Sequence, residues 1–330
     1  VANASMYDGA SAAAEAVLTS ITATNRKKVI VSGALNPAHT EVIRTYARGF
    51  EGEISILLFG GGVSDLNRLE DAADSNTACF VVSHPNFFGA LEDVERAANI
   101  IHQVGGLMIV AADPISLALL KPPGEMGADI VVGEGQPLGI PVSFGGPLLG
   151  LYATKKSLIR RLPGRLVART VDAEGKPGFT LTLQTREQHI RRAKATSNIC
   201  TNEALCATAA TVFLSLMGKQ GLRRVADIAL ERAHYAADKI SALDGYSLAF
   251  EAPFHREFVI RTPIPASEII KKLSSHGILA GIDLARFYPE MKNRLLIAVT
   301  EKRTYEEVDH LVESFRELYV NRDEPIEVVG

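Results

Sequence analysis

Apolar, β-branched runs alternate with helix-like stretches through the first half of this chain, and that alternation constrains the fold most. The runs are Lys28–Ser32, Ile54–Phe59, Thr77–Ser83, Leu107–Ala112 and Asp129–Val132. Helix-like stretches fall at about Ala38–Gly49, Asp65–Asp74 and Ala90–Val104. Strands that alternate with helices predict a mainly parallel sheet with helices on both faces. The runs are almost continuously apolar, as strands covered on both faces need to be. Gly146–Thr154 reads as one more strand. From Arg160 to Gly178 the chain is basic and broken by Pro163, Gly164, Gly175 and Pro177, which predicts a long surface excursion. Glu187–Met217 reads as largely helical, interrupted near Thr196-Ser197-Asn198.

The pattern changes after Gly221. A helix at about 222–243 precedes strand-like segments at His255–Arg261 and Arg294–Val299. Thr304 and Glu307 form a capping box ahead of a stripe of Val308, Leu311, Val312, Phe315 and Leu318 at helical spacing. We therefore expect a large α/β domain over 1–219 and a small C-terminal α+β domain over 220–330, and 330 residues suffice for two cores. A net charge of −3 with 22% charged residues offers no general attraction for nucleic acid or anionic membrane. Cys79, Cys200 and Cys206 form no CxxC pair and read as buried, reduced thiols, which suits a cytoplasmic protein. No uninterrupted apolar run approaches the roughly 20 residues of a membrane span, and no signal peptide is visible. The chain opens at Val1 without an initiator methionine, and we expect it to begin inside a domain.

Several motifs carry possible chemistry. Asp8-Gly9-Ala10-Ser11 opens a helix of small residues, and such a start can cradle a phosphate. Asp8 stands at the N-cap position, so plain capping is the favoured reading. Phe59-Gly60-Gly61-Gly62 lacks the GxGxxG spacing and reads as a turn capped by Ser64 or Asp65. Asp113 ends a predicted parallel strand, where ligands of such sheets bind. It could hold a protonated pyridine nitrogen, or Asp113-Pro114 could simply start a turn. His39, His84, His102 and His189 show no metal-ligand spacing, and GxSxG is absent. After the strand Asp129–Val132 comes the loop Gly133-Glu134-Gly135-Gln136-Pro137-Leu138-Gly139. No lysine lies between Lys121 and Lys155. The layout is similar to a fold-type I pyridoxal phosphate (PLP) domain whose Schiff-base lysine is missing.

The central segment is more specific. Thr185-Arg186-Glu187-Gln188-His189-Ile190-Arg191-Arg192, followed by Ala195-Thr196-Ser197-Asn198-Ile199-Cys200-Thr201-Asn202-Glu203-Ala204-Leu205, resembles the signature of the glycine cleavage system P-protein family. Leu162-Pro163-Gly164-Arg165-Leu166-Val167 and Pro177-Gly178-Phe179-Thr180-Leu181-Thr182-Leu183-Gln184 resemble it too. In detail the chain looks like subunit 1, the α subunit, of the form split over two chains.

The resemblance implies a fold-type I PLP-transferase-like architecture. It implies a glycine dehydrogenase (aminomethyl-transferring) that decarboxylates glycine on PLP and passes the aminomethyl group to lipoylated H-protein. PLP and its lysine belong to the β subunit. Aligned on Ile140-Pro141 and Gly145-Gly146-Pro147, Gln136 falls on that lysine; aligned on Ala128-Asp129-Ile130, Pro137 does. Asp113 matches the pyridinium aspartate, Asn36-Pro37 matches an Asn-Pro pair, and Gly33 falls near the ring-stacking histidine. Asp8, Gly9 and Ser11 match the phosphate loop with an acid added. The pocket is thus expected to be a vestige, with no catalytic residue and no cofactor in this chain. Arg192, Lys194, Thr196, Ser197, Asn198 and Thr201 are the candidates for reaching a partner's site. Subunit 1 of the family has a substantial segment ahead of the residues that match Val1. Two alternatives stay open: a self-sufficient PLP aminotransferase or lyase using Lys121 or Lys155, and a phosphate-ester-binding module without catalysis.

Overall fold

The computed structural model describes residues 1–195, 197, 199 and 203–320. The chain divides into two units. The first comprises 1–59, 64–86 and 92–222; the second comprises 60–63, 87–91 and the residues from 223 onward.

In the first unit the elements run β1 (Ala2–Met6), α1 (Gly9–Thr24), β2 (Lys28–Ser32), α2 (Pro37–Ala47) and β3 (Glu53–Leu57). A short pair follows, β4 (Phe59–Gly60) and β5 (Val63–Ser64), then α3 (Leu66–Ala72), β6 (Thr77–His84), α4 (Val94–Gln103), β7 (Leu107–Ala112), β8 (Ile130–Glu134) and β9 (Gly150–Thr154). Seven strands form one sheet in the order β1-β9-β8-β7-β6-β2-β3. Pairings from β3 through β8 are parallel, and β9 runs antiparallel to both its neighbours.

Alternation along each strand splits its side chains between two cores. Val29, Val31, Cys79, Val81, Ile109, Ala111, Ile130 and Val132 face one core with α1. Ile30, Phe80, Val82, Met108 and Val110 face the other, shared with Leu69 of α3 and Ala97, Ala98 and Ile101 of α4. That two-sided burial is why the strands read as unbroken apolar runs. Helix α1 is buried nearly all round, and its small side chains let it lie close to the sheet.

The basic excursion is more regular than expected. Strands β10 (Leu166–Val171) and β11 (Pro177–Thr182) pair as an antiparallel hairpin, with Val167 opposite Leu181 and Arg169 opposite Phe179. The Asp172 carboxylate accepts the Glu174 and Lys176 amides to close the turn, and Gly175 takes its positive φ of 78°. The next segment is less helical than expected. It holds α5 (Gln188–Arg191) and a 3₁₀ turn at Arg192–Lys194, and helix resumes at α6 (Ala204–Ser241).

Helix α6 is, among the described residues, the one helix long and apolar enough by length and composition to cross a membrane. Its backbone breaks at Gly218 (φ 58°, ψ −175°). The part before the break, 204–217, is shorter than the ~20 residues of a span. The part after it carries Arg223, Arg224, Asp227, Glu231 and Arg232.

The second unit has its own core. Strands β12 (Ser247–Leu248), β13 (Glu257–Arg261), β14 (Ile282–Asp283) and β15 (Arg294–Ala298) form an antiparallel sheet in the order β12-β13-β15-β14. Helices α7 (Ala266–Ser275) and α8 (Tyr305–Val320) complete it. The capping box forms: the Glu307 carboxylate accepts the Thr304 amide at 2.9 Å, and the Thr304 hydroxyl accepts the Glu307 amide at 3.2 Å. Val308, Val312 and Phe315 are buried in this core, with Leu311 and Leu318 packed at its margin.

Candidate functional site

The C-terminal ends of β6, β7 and β8 and the N-terminus of α1 share one edge of the parallel sheet, where α/β folds bind ligands. Two features of that edge would serve a phosphorylated cofactor: helix donors for phosphate and a partner for the ring nitrogen. Each is engaged within the chain.

At the start of α1, Asp8 Oδ1 accepts the Ser11 amide at 2.6 Å, and the Ser11 hydroxyl accepts the Asp8 amide at 3.1 Å. This reciprocal capping box satisfies part of the helix end. The Gly9 amide donates to Glu134 Oε2 at 2.9 Å, across 125 residues of sequence. Glu134 closes β8, and its Oε1 accepts the Gln136 amide at 2.8 Å and the Leu149 amide at 3.0 Å. Two carboxylates thus stand at the positive end of the α1 dipole. Glycine suits this position, because a Cβ would lie only 3.0–3.2 Å from Glu134 and the two segments would have to part by a few tenths of an ångström.

The loop after β8 is tied to itself. Gln136 Nε2 donates to the Ile140 carbonyl at 2.7 Å, and Leu138 and Ile140 are buried. Neither Gln136 nor Pro137 carries an amine that could condense with an aldehyde. Asp113 follows β7 and builds a turn: its Oδ1 accepts the Ile115 amide at 3.1 Å, and its carbonyl accepts the Ser116 hydroxyl at 2.8 Å. Gly33 follows β2, and a Cβ there would meet the Leu57 carbonyl at 2.8 Å, so no ring-bearing side chain fits this backbone. Asn36 caps α2 by accepting the Ala38 amide. His84 is buried at the end of β6, where Nδ1 accepts the Glu92 amide at 3.1 Å and burial lowers its pKa. Glu92 accepts the Ser64 amide and the Asn86 side chain, yet desolvation still raises its pKa.

The two nearest lysines are spent elsewhere. Lys121 is exposed and pairs with Glu95. Lys155 pairs with Asp129 at 2.6 Å, at the start of β8 and so at the opposite edge of the sheet. Burial works against the Asp129 carboxylate, but hydrogen bonds from Lys155, the Met108 amide and His102 outweigh it and lower its pKa.

The signature segment separates into inner and outer parts. Arg186 is buried and donates to the Leu162, Gly164 and Leu183 carbonyls. This guanidinium joins the Leu162-Pro163-Gly164 motif to the signature, and desolvation lowers its pKa. Arg192 and Lys194 are exposed. Ser197 hydrogen-bonds Glu15 of α1. A cavity of about 290 Å3 opens beside them, lined also by Leu18, Tyr46, Gln188 and Arg192. Thr196, Asn198, Cys200 and Thr201 lie outside the described residues. Among the described residues no group of three metal-ligating side chains occurs. Cys79 and Cys206 are buried thiols, and burial pushes Cys79 up to about 12.

Sequence reasoning missed Glu134 and Glu15. Glu134 had a signal, since it ends a strand whose neighbours place their ligand edge there. Glu15 had one too, as a lone charge within Ala12-Ala13-Ala14-Glu15-Ala16-Val17-Leu18.

A family model described as glycine cleavage system P-protein matches residues 1–315. The chain belongs to the P-protein family. A P-protein relative from Carboxydothermus hydrogenoformans, "Probable glycine dehydrogenase (decarboxylating) subunit 1", is 53% identical over 313 residues, covering 95% of this chain and 70% of that protein. A relative of the same name from Desulfitobacterium hafniense is 51% identical over 317 residues, covering 96% and 71%. Within the P-protein family the chain is therefore of the subunit 1 type. A crystal structure of inhibitor-bound glycine decarboxylase (P-protein) superposes with a TM-score of 0.92 at 42% identity, covering 96% of this chain and 71% of that one. Glutamate decarboxylase of Lactobacillus brevis shares the fold at a TM-score of 0.74 and 13% identity. The fold-type I expectation holds.

Proposed function

We propose that this chain is the cofactor-free subunit of a glycine dehydrogenase (decarboxylating), and that it supports a second, homologous subunit that holds PLP. The carrying observation is the engagement of the α1 N-terminus by Asp8 and Glu134. PLP does not fit these residues: its phosphate would meet two carboxylates, and its aldehyde would meet Gln136 or Pro137.

The role that remains is architectural. Exposed apolar side chains on the first unit favour assembly with another surface. Leu205 and Leu216 of α6 are 83% and 82% exposed, and Phe144 is fully exposed. Arg192, Lys194, Thr196, Ser197, Asn198 and Thr201 are the residues we assign to the partner's site. Glycine decarboxylation and aminomethyl transfer to lipoylated H-protein would then occur on the assembly. The buried thiols of Cys79 and Cys206 suit a reducing, cytoplasmic compartment.

Co-expression with a subunit 2, followed by a glycine decarboxylation assay with and without this chain, tests the proposal. We expect co-purification and glycine turnover that requires both chains. An internal-aldimine absorption band on this chain alone, abolished by borohydride, would overturn it.

A further inference from the structure

We propose that Glu134 is a built-in anion. Its carboxylate takes the donors that a phosphate would take at the start of α1, and so holds the 134–149 loop in a ligand-bound arrangement without a ligand.

The donors come from three separate segments. Gly9 opens α1, Gln136 lies in the loop after β8, and Leu149 lies just before β9. Their three amides converge on one carboxylate, at 2.9, 2.8 and 3.0 Å. None of the three can satisfy another, because all are donors. Backbone amides that converge from separate segments at a helix N-terminus are the usual furniture of a phosphate site. Here one side chain satisfies them all.

The backbone packs closely at this corner. Gly9 lets the start of α1 approach the Glu134 backbone and Cβ. A Cβ on Gly150 would meet the Asp8 carbonyl at 2.4 Å, so β9 closes tightly behind the same corner. The Gly135 amide donates to the Leu149 carbonyl at 2.6 Å, which ties the two ends of the loop beside the carboxylate. Asp8 is turned away onto Ser11, so the two acids use different donors.

The proposal deepens the cofactor-free reading but is tested without any partner. Failed co-purification would leave it standing, and its own failure would leave the partner assay untouched. The test uses the 330-residue chain and inorganic phosphate, with chloride at matched ionic strength as control. Glu134→Ala should melt lower than wild type. Phosphate should then raise its Tm saturably by at least about 2 °C beyond the chloride control. The double variant Glu134→Ala/Asp8→Ser keeps a capping hydroxyl and loses the nearby charge. Its half-saturating phosphate concentration should be at least about threefold lower. Wild type should show no saturable response. A wild-type response equal to that of Glu134→Ala, or no phosphate effect in either variant, overturns the proposal.

If Glu134→Ala does not fold, Glu134→Gln decides. It keeps the shape, but Nε2–H faces the Gly9 amide donor to donor. Hydrogen exchange should quicken at least about tenfold at Gly9 and stay unchanged at Gln136 and Leu149. Unchanged exchange at Gly9 overturns the proposal.

Discussion

Glu15→Gln should stabilise the first unit at alkaline pH and do almost nothing in acid. Glu15 sits on α1 at 2% exposure, between the sheet and the cavity beside Ser197. Desolvation raises its pKa from 4.5 to about 7, and the Ser197 hydrogen bond only partly opposes this. A carboxyl whose folded pKa is raised binds its proton more tightly in the folded state. Its neutral form contributes fully below about pH 4.5, and that contribution is lost as pH rises through about 7. The interval is roughly 2.5 pH units, each worth about 1.36 kcal/mol, so ionised Glu15 costs about 3 kcal/mol at pH 8. Glutamine is isosteric with the neutral acid and can still accept from Ser197. Denaturant titrations of both proteins at about pH 4 and about pH 8 measure the difference. The two should agree in acid, and the variant should lead by about 3 kcal/mol at the higher pH. Parallel pH profiles, or a variant weaker at pH 8, would refute the reasoning about desolvation.

Two further outcomes are expected. Asp129→Asn should destabilise the sheet by about 2–4 kcal/mol, since it strands Lys155 and weakens the bonds to His102 and the Met108 amide; because the folded pKa of Asp129 is depressed below 3.8, the wild-type advantage should be present near neutrality and vanish as pH falls through that lower value, a loss that acid titration followed by circular dichroism reads. Arg192→Glu, at an exposed position, should lower glycine turnover of the mixed complex while leaving the Tm of this chain within about 1 °C; unchanged turnover sinks the partner-site assignment.

The parallel sheet was legible because burial on two faces leaves no polar positions to blur the strands. Lys28–Ser32 and Leu107–Ala112 appear at the expected residues. The box before α8 was legible because Thr304 and Glu307 act locally, within one turn. The hairpin of β10 and β11 was hidden: Val167, Val171, Phe179 and Leu181 stay exposed, so no core selects them, and arginines and glycines interrupt the pattern. The 3₁₀ turn at Arg192–Lys194 was not legible, because helical periodicity says little just after Arg186, whose guanidinium is held by the distant Leu162 and Gly164 carbonyls. At the site, Asp8 and Ser11 read as a cap and form one. Glu134 did not announce itself, since a glutamate between glycines looks like a turn until α1 is folded against it.

The placement of β9 sets an order on synthesis. Strand β1 has a single neighbour in the sheet, and Ala2 pairs with Ala153. Gly9 likewise finds its acceptor only at Glu134. At roughly 5–20 residues per second, residues 2–9 leave the ribosome some 6–30 s before those partners do. The parallel core from β2 to β8 can assemble meanwhile, because its longest-range pairing, β2 with β6, spans only about a third of the distance from β1 to β9. Until β9 arrives, the opening strand is an unpaired edge and α1 has an uncovered end. A nascent chain stalled before residue 150 should therefore be the form that chaperones hold and that aggregates most readily.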